Sequence, residues 1–158
     1  MVGIIAFIFI IGGAIVFSTQ AVNTNANTQA SKSNFSAAEK YYDFGSISMA
    51  AGKVSKIFIL RNTSATPVII KKMYTSCMCT SVSLLDGDKK LGPFGMQGHG
   101  FIPTITKEIG AGQEARIEAV FDPAAHGPSG VGNIVRNIFV ETADGAKLSL
   151  EIEATVTP

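Results

Sequence analysis

The two cysteines of the chain carry its most distinctive chemistry, and a single residue separates them. Cys77 and Cys79 lie in the run TSCMCT over residues 75–80. In a regular strand, residues two positions apart share a face, at a Cα separation near the upper limit of about 6.8 Å for a disulfide. A bond between them would close a small, strained ring, which is typical of redox-active disulfides rather than stabilising ones. Alternatively, both thiols are small buried groups in a core strand.

Both histidines occur in glycine-rich stretches that predict loops. His99 lies in GMQGHG over residues 95–100, and His126 lies in DPAAHGPSG over residues 122–130. Thiolate and imidazole ligands suit Cu(I) and Zn²⁺. If both loops fold over the cysteine strand, one copper or zinc site would combine Cys77, Cys79, His99, His126 and Met96. The sequence therefore leaves structural, metal-binding and redox roles open for the cysteines.

The remaining reactive side chains predict no catalytic centre. A cysteine–histidine nucleophile needs an orienting third group and benefits from a helix N-terminus, which loops of a β-protein do not supply. No glycine-rich loop follows a strand and opens a helix, as a phosphate-binding loop would. The net charge of +1 excludes the basic face of a nucleic-acid-binding domain. We therefore predict a binding protein that is not an enzyme and that has no nucleic-acid partner.

The first 38 residues differ in composition from the rest of the chain. Of the 13 basic and 12 acidic side chains, only Lys32 precedes Glu39. Residues 1–17 contain no polar side chain, and as a helix they would span about 25 Å, slightly less than the hydrocarbon core of about 30 Å. We predict residues 1–22 as a membrane anchor or, alternatively, a cleaved secretory signal. Residues 23–38, rich in Ser, Thr, Asn and Gln, predict a flexible linker.

Residues 39–158 predict a single all-β domain. Glu114–Phe121 and Lys147–Val156 alternate apolar and polar residues, which indicates half-buried antiparallel strands. Further strand candidates are Tyr41–Ile47, Lys56–Arg61, Val68–Tyr74, Cys79–Leu85 and Asn133–Glu141. The Asp144-Gly145 pair predicts a hairpin between the last two strands. About seven strands in a domain of this length fit an immunoglobulin-like antiparallel β-sandwich.

The order of these motifs resembles an uncharacterised family of bacterial exported proteins with Hydin-like and major-sperm-protein-like immunoglobulin folds. The resemblance rests on DFGSI at 43–47, SCMCT at 76–80, IGAG at 109–112 and AVFD at 119–122. Met78 stands where the family has the glycine of a Ser-Cys-Gly-Cys-Thr element, and Ala111 stands where it has the proline of a Pro-Gly turn. The resemblance implies an exported β-sandwich and no particular activity.

Two functions of different classes follow from the sequence. The first is a membrane-tethered module, facing the periplasm or the cell exterior, that binds or scaffolds another protein of the cell envelope through its sheet edges. The second is an extracytoplasmic copper-binding, zinc-binding or thiol-redox protein that uses the Cys-x-Cys element and the loop histidines. The sequence favours the first function, with an envelope or membrane protein as the partner.

Overall fold

The computed structural model of the protein describes residues 33–158. Ten strands form two five-stranded sheets of a β-sandwich. In chain order they are β1 (Phe35–Ala37), β2 (Tyr41–Ser48), β3 (Val54–Asn62), β4 (Val68–Thr75), β5 (Thr80–Asp86), β6 (Lys89–Phe94), β7 (Lys107–Ile109), β8 (Glu114–Phe121), β9 (Gly132–Thr142) and β10 (Lys147–Thr157). Two short 3₁₀ helices, Met49–Ala51 and Gly127–Gly130, complete the regular structure of these residues.

The two sheets are joined by a chain that crosses between them repeatedly. One sheet has the strand order β1-β3-β8-β5-β6, and the other has the order β2-β10-β9-β4-β7. All pairs are antiparallel except β2 with β10, which run parallel. The connection from β4 to β5 passes from the second sheet to the first through residues 76–79. This short crossing carries both cysteines.

The core lies between the sheets and follows from the period-two pattern of the sequence. In β8 and β10 the apolar side chains on one face are buried, while most of their neighbours along each strand are partly or fully exposed. The largest fully buried side chains come from both sheets and include Phe58, Leu60, Ile70, Met73, Ile117, Phe121, Ile138 and Leu150. Each such side chain contributes about 1.5–3 kcal/mol when it leaves water, so the core holds the two sheets together.

The all-β immunoglobulin-like sandwich predicted from the sequence is confirmed in its architecture. All seven predicted strands are present, and the Asp144-Gly145 turn connects β9 and β10. Three short strands, β1, β6 and β7, were not predicted because segments of this length carry too little periodicity. The prediction of a purely antiparallel arrangement is wrong for β2, which pairs in parallel with β10.

The N-terminal boundary of the sandwich lies before the predicted one. Phe35–Ala37 form β1 and pair with β3, although they fall within the predicted linker 23–38. Phe35 is only 3% exposed, so one aromatic side chain is enough to attach this polar stretch to the core. The predicted anchor or signal at residues 1–22 lies outside the described residues. Within residues 33–158, no helix has the length and apolarity needed to span a membrane.

Candidate functional site: a thiol–imidazole cluster at the end of β4

The cysteines lie in a tight turn rather than in the core strand considered from the sequence. After Thr75 the chain leaves the sheet, and the Thr80 N–H donates to the Cys77 carbonyl at 3.1 Å. The Thr75 hydroxyl oxygen is buried and lies 3.0 Å and 2.9 Å from the carbonyl oxygens of Cys77 and Thr80. The Asp122 N–H donates to the Cys79 carbonyl at 2.9 Å. These main-chain bonds hold the turn from both sheets.

This turn brings the two sulfur atoms together. The Cys79 thiol donates to the Cys77 sulfur at an S–S separation of 2.9 Å, and both cysteines are free thiols. In a regular strand the two side chains would be too far apart for this contact. Cys77 is half-buried and Cys79 is buried, so one sulfur is accessible and the other is enclosed behind it.

His126 approaches the cysteine turn from the loop that follows β8. Its Nε2 atom lies 3.1 Å from the Cys77 sulfur. The loop is shaped by the Asp122 carboxylate, which accepts from the Ala124 N–H at 3.0 Å, and by the Ser129 hydroxyl, which donates to the His126 carbonyl at 2.7 Å. Gly130 leaves room for the histidine, because a Cβ at that position would lie 3.0 Å from the His126 Cβ. The imidazole is exposed to solvent, as a ligand or proton acceptor at an accessible site must be.

Arg136, which was not among the residues predicted from the sequence, supplies the positive charge of the cluster. Its Nε atom donates to the Cys79 sulfur at 3.2 Å, and its Nη1 atom donates to the Val135 carbonyl at 2.9 Å. Arg136 occupies the same face of β9 as Ile134 and Ile138, which are buried. A charged residue on an otherwise apolar strand face was the signal that could have identified it.

The contacts of the cluster shift the pKa values of the two thiols in opposite directions. Burial alone raises the pKa of Cys77, but hydrogen bonds from Cys79 and His126 and the charge of Arg136 outweigh it and lower that pKa to about 7. Burial, together with the hydrogen bond given to Cys77, raises the pKa of Cys79 despite the opposing effect of Arg136. Near neutral pH, Cys77 is therefore the nucleophilic, ligand-forming sulfur and Cys79 carries the proton between them.

The same three residues have the geometry of a small metal site. The ligand atoms of Cys77, Cys79 and His126 all lie within 4.8 Å of one another, and they form the one such group of His, Cys, Asp or Glu side chains found in residues 33–158. Because the Cys77 sulfur lies 2.9 Å from the Cys79 sulfur and 3.1 Å from His126 Nε2, and the third separation is at most 4.8 Å, a point equidistant from the three atoms lies at most about 2.5 Å from each. This is close to the 2.0–2.3 Å of metal–nitrogen and metal–sulfur bonds. Small shifts would thus place all three atoms on one ion.

Five residues were predicted from the sequence as ligands, and the structure brings three of them together: Cys77, Cys79 and His126. His99 lies in an exposed turn where its N–H donates to the Met96 carbonyl, and it does not belong to the cluster. Met96 pairs through its backbone with Thr75, two residues before Cys77, in an isolated bridge. The loop of His99 therefore approaches β4 but does not close over the cysteines, because that edge of β4 binds the Gly95 carbonyl instead.

An open cleft of about 670 Å³ lies beside the cluster. Its lining residues include Cys77, His126, Arg136 and the exposed valines at 131 and 135. A smaller cleft of about 180 Å³ is lined by Cys79 and Met78. Each cysteine thus lines a different cleft, and the larger one gives access to Cys77.

Comparison with protein families gives one match, over residues 35–90, to a family described as "Protein of unknown function (DUF1573)". The matched segment includes the cysteine turn and ends before His126 and Arg136. No curated protein matches the chain. The Hydin-like and major-sperm-protein-like assignment made from the sequence stays a prediction.

Solved structures with similar folds share little sequence with the chain. A protein of unknown function from Porphyromonas gingivalis W83 is 15% identical, with a TM-score of 0.56 over 77% of this chain and 46% of that protein. A family 123 glycoside hydrolase from Clostridium perfringens is 8% identical, with a TM-score of 0.52 over 74% of this chain and 22% of the hydrolase. The PapD-like domain 7 of human CEP192 is 13% identical, with a TM-score of 0.46 over 78% of this chain and 85% of that domain.

This chain spans less than half of the Porphyromonas protein and about a fifth of the hydrolase, so these similarities concern the fold alone. The chain is an immunoglobulin-like β-sandwich that is similar, over residues 35–90, to a protein family without an assigned function.

Proposed function

We propose that the domain binds a monovalent soft metal ion, copper(I), through Cys77, Cys79 and His126. The observation that supports this function is the convergence of two sulfurs and one imidazole nitrogen within 4.8 Å at an accessible turn. Thiolates and imidazole are the ligands that copper(I) prefers, and three of them complete a trigonal site. The proposed activity is binding, and it takes up the second function predicted from the sequence rather than the favoured protein-binding module.

The charge of the cluster favours copper(I) over zinc. Two thiolates and one Cu⁺ carry a net charge of −1, which the guanidinium of Arg136 beside Cys79 offsets. Two thiolates and one Zn²⁺ are already neutral, so Arg136 would leave an uncompensated positive charge. Structural zinc also prefers four protein ligands, and the group in residues 33–158 provides three.

Binding would replace the proton that the two thiols share. The sulfurs are 2.9 Å apart with that proton between them, whereas two sulfurs on a trigonal ion are about 4 Å apart, given metal–sulfur bonds near 2.3 Å. Cys77 is half-exposed and faces the cleft, so its side chain has room to move. Metal binding therefore releases protons and strengthens as the pH rises through the pKa of Cys77, about 7.

A thiol–disulfide redox function is the second candidate, and it uses the same sulfurs. It is favoured by the pairing of an accessible sulfur of lowered pKa with an enclosed one 2.9 Å away. Closing a Cys77–Cys79 disulfide releases two electrons and two protons to an oxidised thiol compound. The disulfide would remove both sulfur ligands, so the oxidised protein could not hold copper(I).

The wider setting proposed from the sequence is a membrane-tethered envelope protein. The supporting feature is the apolar run at residues 1–17, with residues 1–22 as anchor or signal. In that setting the sandwich would present its copper site outside the cytoplasm, where a reductant or bound copper keeps the thiols from pairing. Protein binding, the other function predicted from the sequence, would then serve the exchange of metal with a partner.

Anaerobic titration of the reduced full chain with copper(I), in competition with a chromogenic chelator, tests this function. We expect one ion per chain, and at least about 100-fold weaker binding in Cys77→Ser and Cys79→Ser, because each ligand of a structural zinc site contributes about 3 kcal/mol. Met78→Leu is the matched control, since Met78 lies between the cysteines and is exposed. Equal affinity in Cys77→Ser, or binding lost in Met78→Leu alone, would refute the proposed ligand set.

A further inference from the structure

One stretch of β9 is left without a neighbouring strand on one side. β9 pairs with β10 along its length, from Glu141 to Gly132. On its other side it pairs with β4 only from Thr142 to Ile138, and then with Ser76 through Asn137. The chain then turns away into the cysteines and crosses to the other sheet. Within residues 33–158, no strand replaces β4 beside residues 132–136, which we call the open edge of β9.

The hydrogen bonds of Asn137 show which way the main chain of the open edge faces. The Asn137 N–H donates to the Ser76 hydroxyl, and the Asn137 carbonyl accepts from the Ser76 N–H, both at 2.9 Å. Residues of an antiparallel strand direct these groups to alternate sides, and β9 keeps its register with β10 without a shift. The main-chain groups of Asn133 and Val135 therefore face the same side as those of Asn137, where β4 has ended.

The open edge forms one wall of the 670 Å³ cleft beside the thiols. Residues 133–137 line the cleft together with Cys77 and His126. Val131 and Val135 are about 45% exposed there, so the cleft has apolar surface as well as main-chain groups. The described residues that line the cleft include Arg136 and His126 and no carboxylate. The cleft thus combines main-chain groups that no strand pairs, apolar side chains and positive charge; the Val135 carbonyl accepts one hydrogen bond there, from the Arg136 side chain.

We propose that the open edge of β9 binds an extended polypeptide segment of a partner protein by strand addition, and that a methionine of this segment approaches Cys77 and His126. Main-chain groups that face a cleft are complementary to an extended peptide and to few other ligands. The charge of the lining favours a segment that is neutral or acidic. The strand addition does not depend on the copper site, whereas the role of the methionine rests on the proposed function.

Methionine is favoured over cysteine by the charge of the cluster. With copper(I) bound, two thiolates, the ion and Arg136 sum to zero, so a neutral thioether adds a soft ligand without adding charge. A third thiolate would leave a negative charge in the cleft. A thioether ligand from the partner would let copper pass between the two proteins while the strand pairing holds them together.

Synthetic peptides test both parts with the protein unchanged. The probe is the acetylated and amidated heptapeptide Thr-Val-Thr-Met-Thr-Val-Thr, and its binding to the full chain is measured with and without copper(I). We expect peptides N-methylated at one alternate set of amides to bind about 30-fold more weakly, because two hydrogen bonds are lost. Methylation of the other set, which faces away from β9, should change the affinity less than threefold. Copper(I) should strengthen binding of the methionine peptide about tenfold, and binding of its norleucine analogue not at all.

The outcomes separate this inference from the proposed function. Equal effects of both methylation sets, or no binding of any peptide at millimolar concentration, would overturn strand addition even if copper(I) binds as proposed. Equal response of the methionine and norleucine peptides to copper(I) would overturn the role of methionine. Val135→Pro removes one N–H that faces the cleft and should weaken the peptide about fivefold. If that variant loses cooperative unfolding in urea, the methylated peptides still decide the question.

Discussion

A polar cluster lies at each end of β4, and the two clusters differ in whether their polar atoms are all hydrogen-bonded. Before the strand begins, Asn62 is fully buried, and its side-chain nitrogen lies 2.9–3.1 Å from the carbonyl oxygens of Thr66, Ile109 and Gly110. Its side-chain oxygen accepts from the N–H and the hydroxyl of Ser64. After the strand ends, Cys77 shares one proton with Cys79 and faces both His126 and a cleft.

The two clusters differ in how many donor atoms, acceptor atoms and lone pairs remain without a partner. The donors and acceptors of Asn62 are all satisfied by neighbouring loops, so this cluster stabilises the fold and has nothing to offer a ligand. The sulfurs and the imidazole retain lone pairs and an exposed side, so the second cluster can bind an ion or react. The two clusters both close a turn between the sheets. In the structural cluster every hydrogen-bonding group has a partner, whereas in the functional cluster some lone pairs remain free.

The largest effect is expected from removing the Asn62 side chain, which should destabilise the fold without changing the thiol–imidazole cluster. Asn62→Ala removes the hydrogen bonds to the Ile109 carbonyl and from the Ser64 N–H at a buried position, while the Gly110 carbonyl keeps the bond from the Gln113 N–H. We expect the free energy of unfolding to fall by about 3 kcal/mol. Urea denaturation measures the loss. Thr63→Ala, at an exposed neighbour, is the control. A reduced copper stoichiometry in folded Asn62→Ala would show that the two ends are not independent.

Removal of the charge at Arg136 should weaken copper(I) binding at the thiol–imidazole cluster without removing a ligand. Arg136→Leu removes the guanidinium that donates to Cys79, and we expect copper(I) affinity at pH 7 to fall 10- to 100-fold, as is typical when a group that supports a ligand is lost. Arg136→Lys should recover part of the affinity because it keeps the charge. A lysine variant no better than leucine would assign Arg136 a packing role instead.

The reactivity of the accessible thiol should report the lowered pKa directly. In the metal-free, reduced protein, the alkylation rate of Cys77 by iodoacetamide should rise between pH 6 and 8, because the thiolate fraction grows through a pKa of about 7. In His126→Ala the rise should move to higher pH, and the rate at pH 7 should fall about fivefold, since the imidazole contact that favours the thiolate is lost. Mass spectrometry separates modification of Cys77 from that of Cys79. An unchanged profile in His126→Ala would contradict the contact.

The smallest effect is expected from the glycine that faces His126. In Gly130→Ala the new methyl group lies against the His126 Cβ, so the imidazole must shift by a few tenths of an ångström. We expect copper(I) affinity to fall about threefold, since ligands must be placed within about 0.5 Å. Ser129→Ala is a useful companion, because it releases the loop by removing the hydrogen bond to the His126 carbonyl. Affinity above that of the unaltered protein in Gly130→Ala would refute this placement.

Much of the fold could be predicted because the alternation of apolar and polar residues in a strand shows which of its faces is buried. The alternation in Glu114–Phe121 specifies a half-buried strand wherever that segment lies, and β8 has these bounds. Phe35 was missed because one aromatic side chain in a polar stretch carries no periodicity, yet it is buried where β1 pairs with β3 and Phe35 lies opposite Asn62. The parallel pairing of β2 likewise depends on β10, more than 100 residues later.

The sequence by itself determined which groups of this protein have chemistry to offer: two cysteines one residue apart, two loop histidines and an apolar N-terminal run. Only the tertiary structure decided which of them meet. It placed His126 on the thiols and left His99 apart, brought in Arg136 from β9, and opened an edge of that strand where β4 turns away. The physical reason is that residue type fixes what a group can bind, whereas a shared site requires contacts between segments that lie 49 and 57 residues apart in the chain.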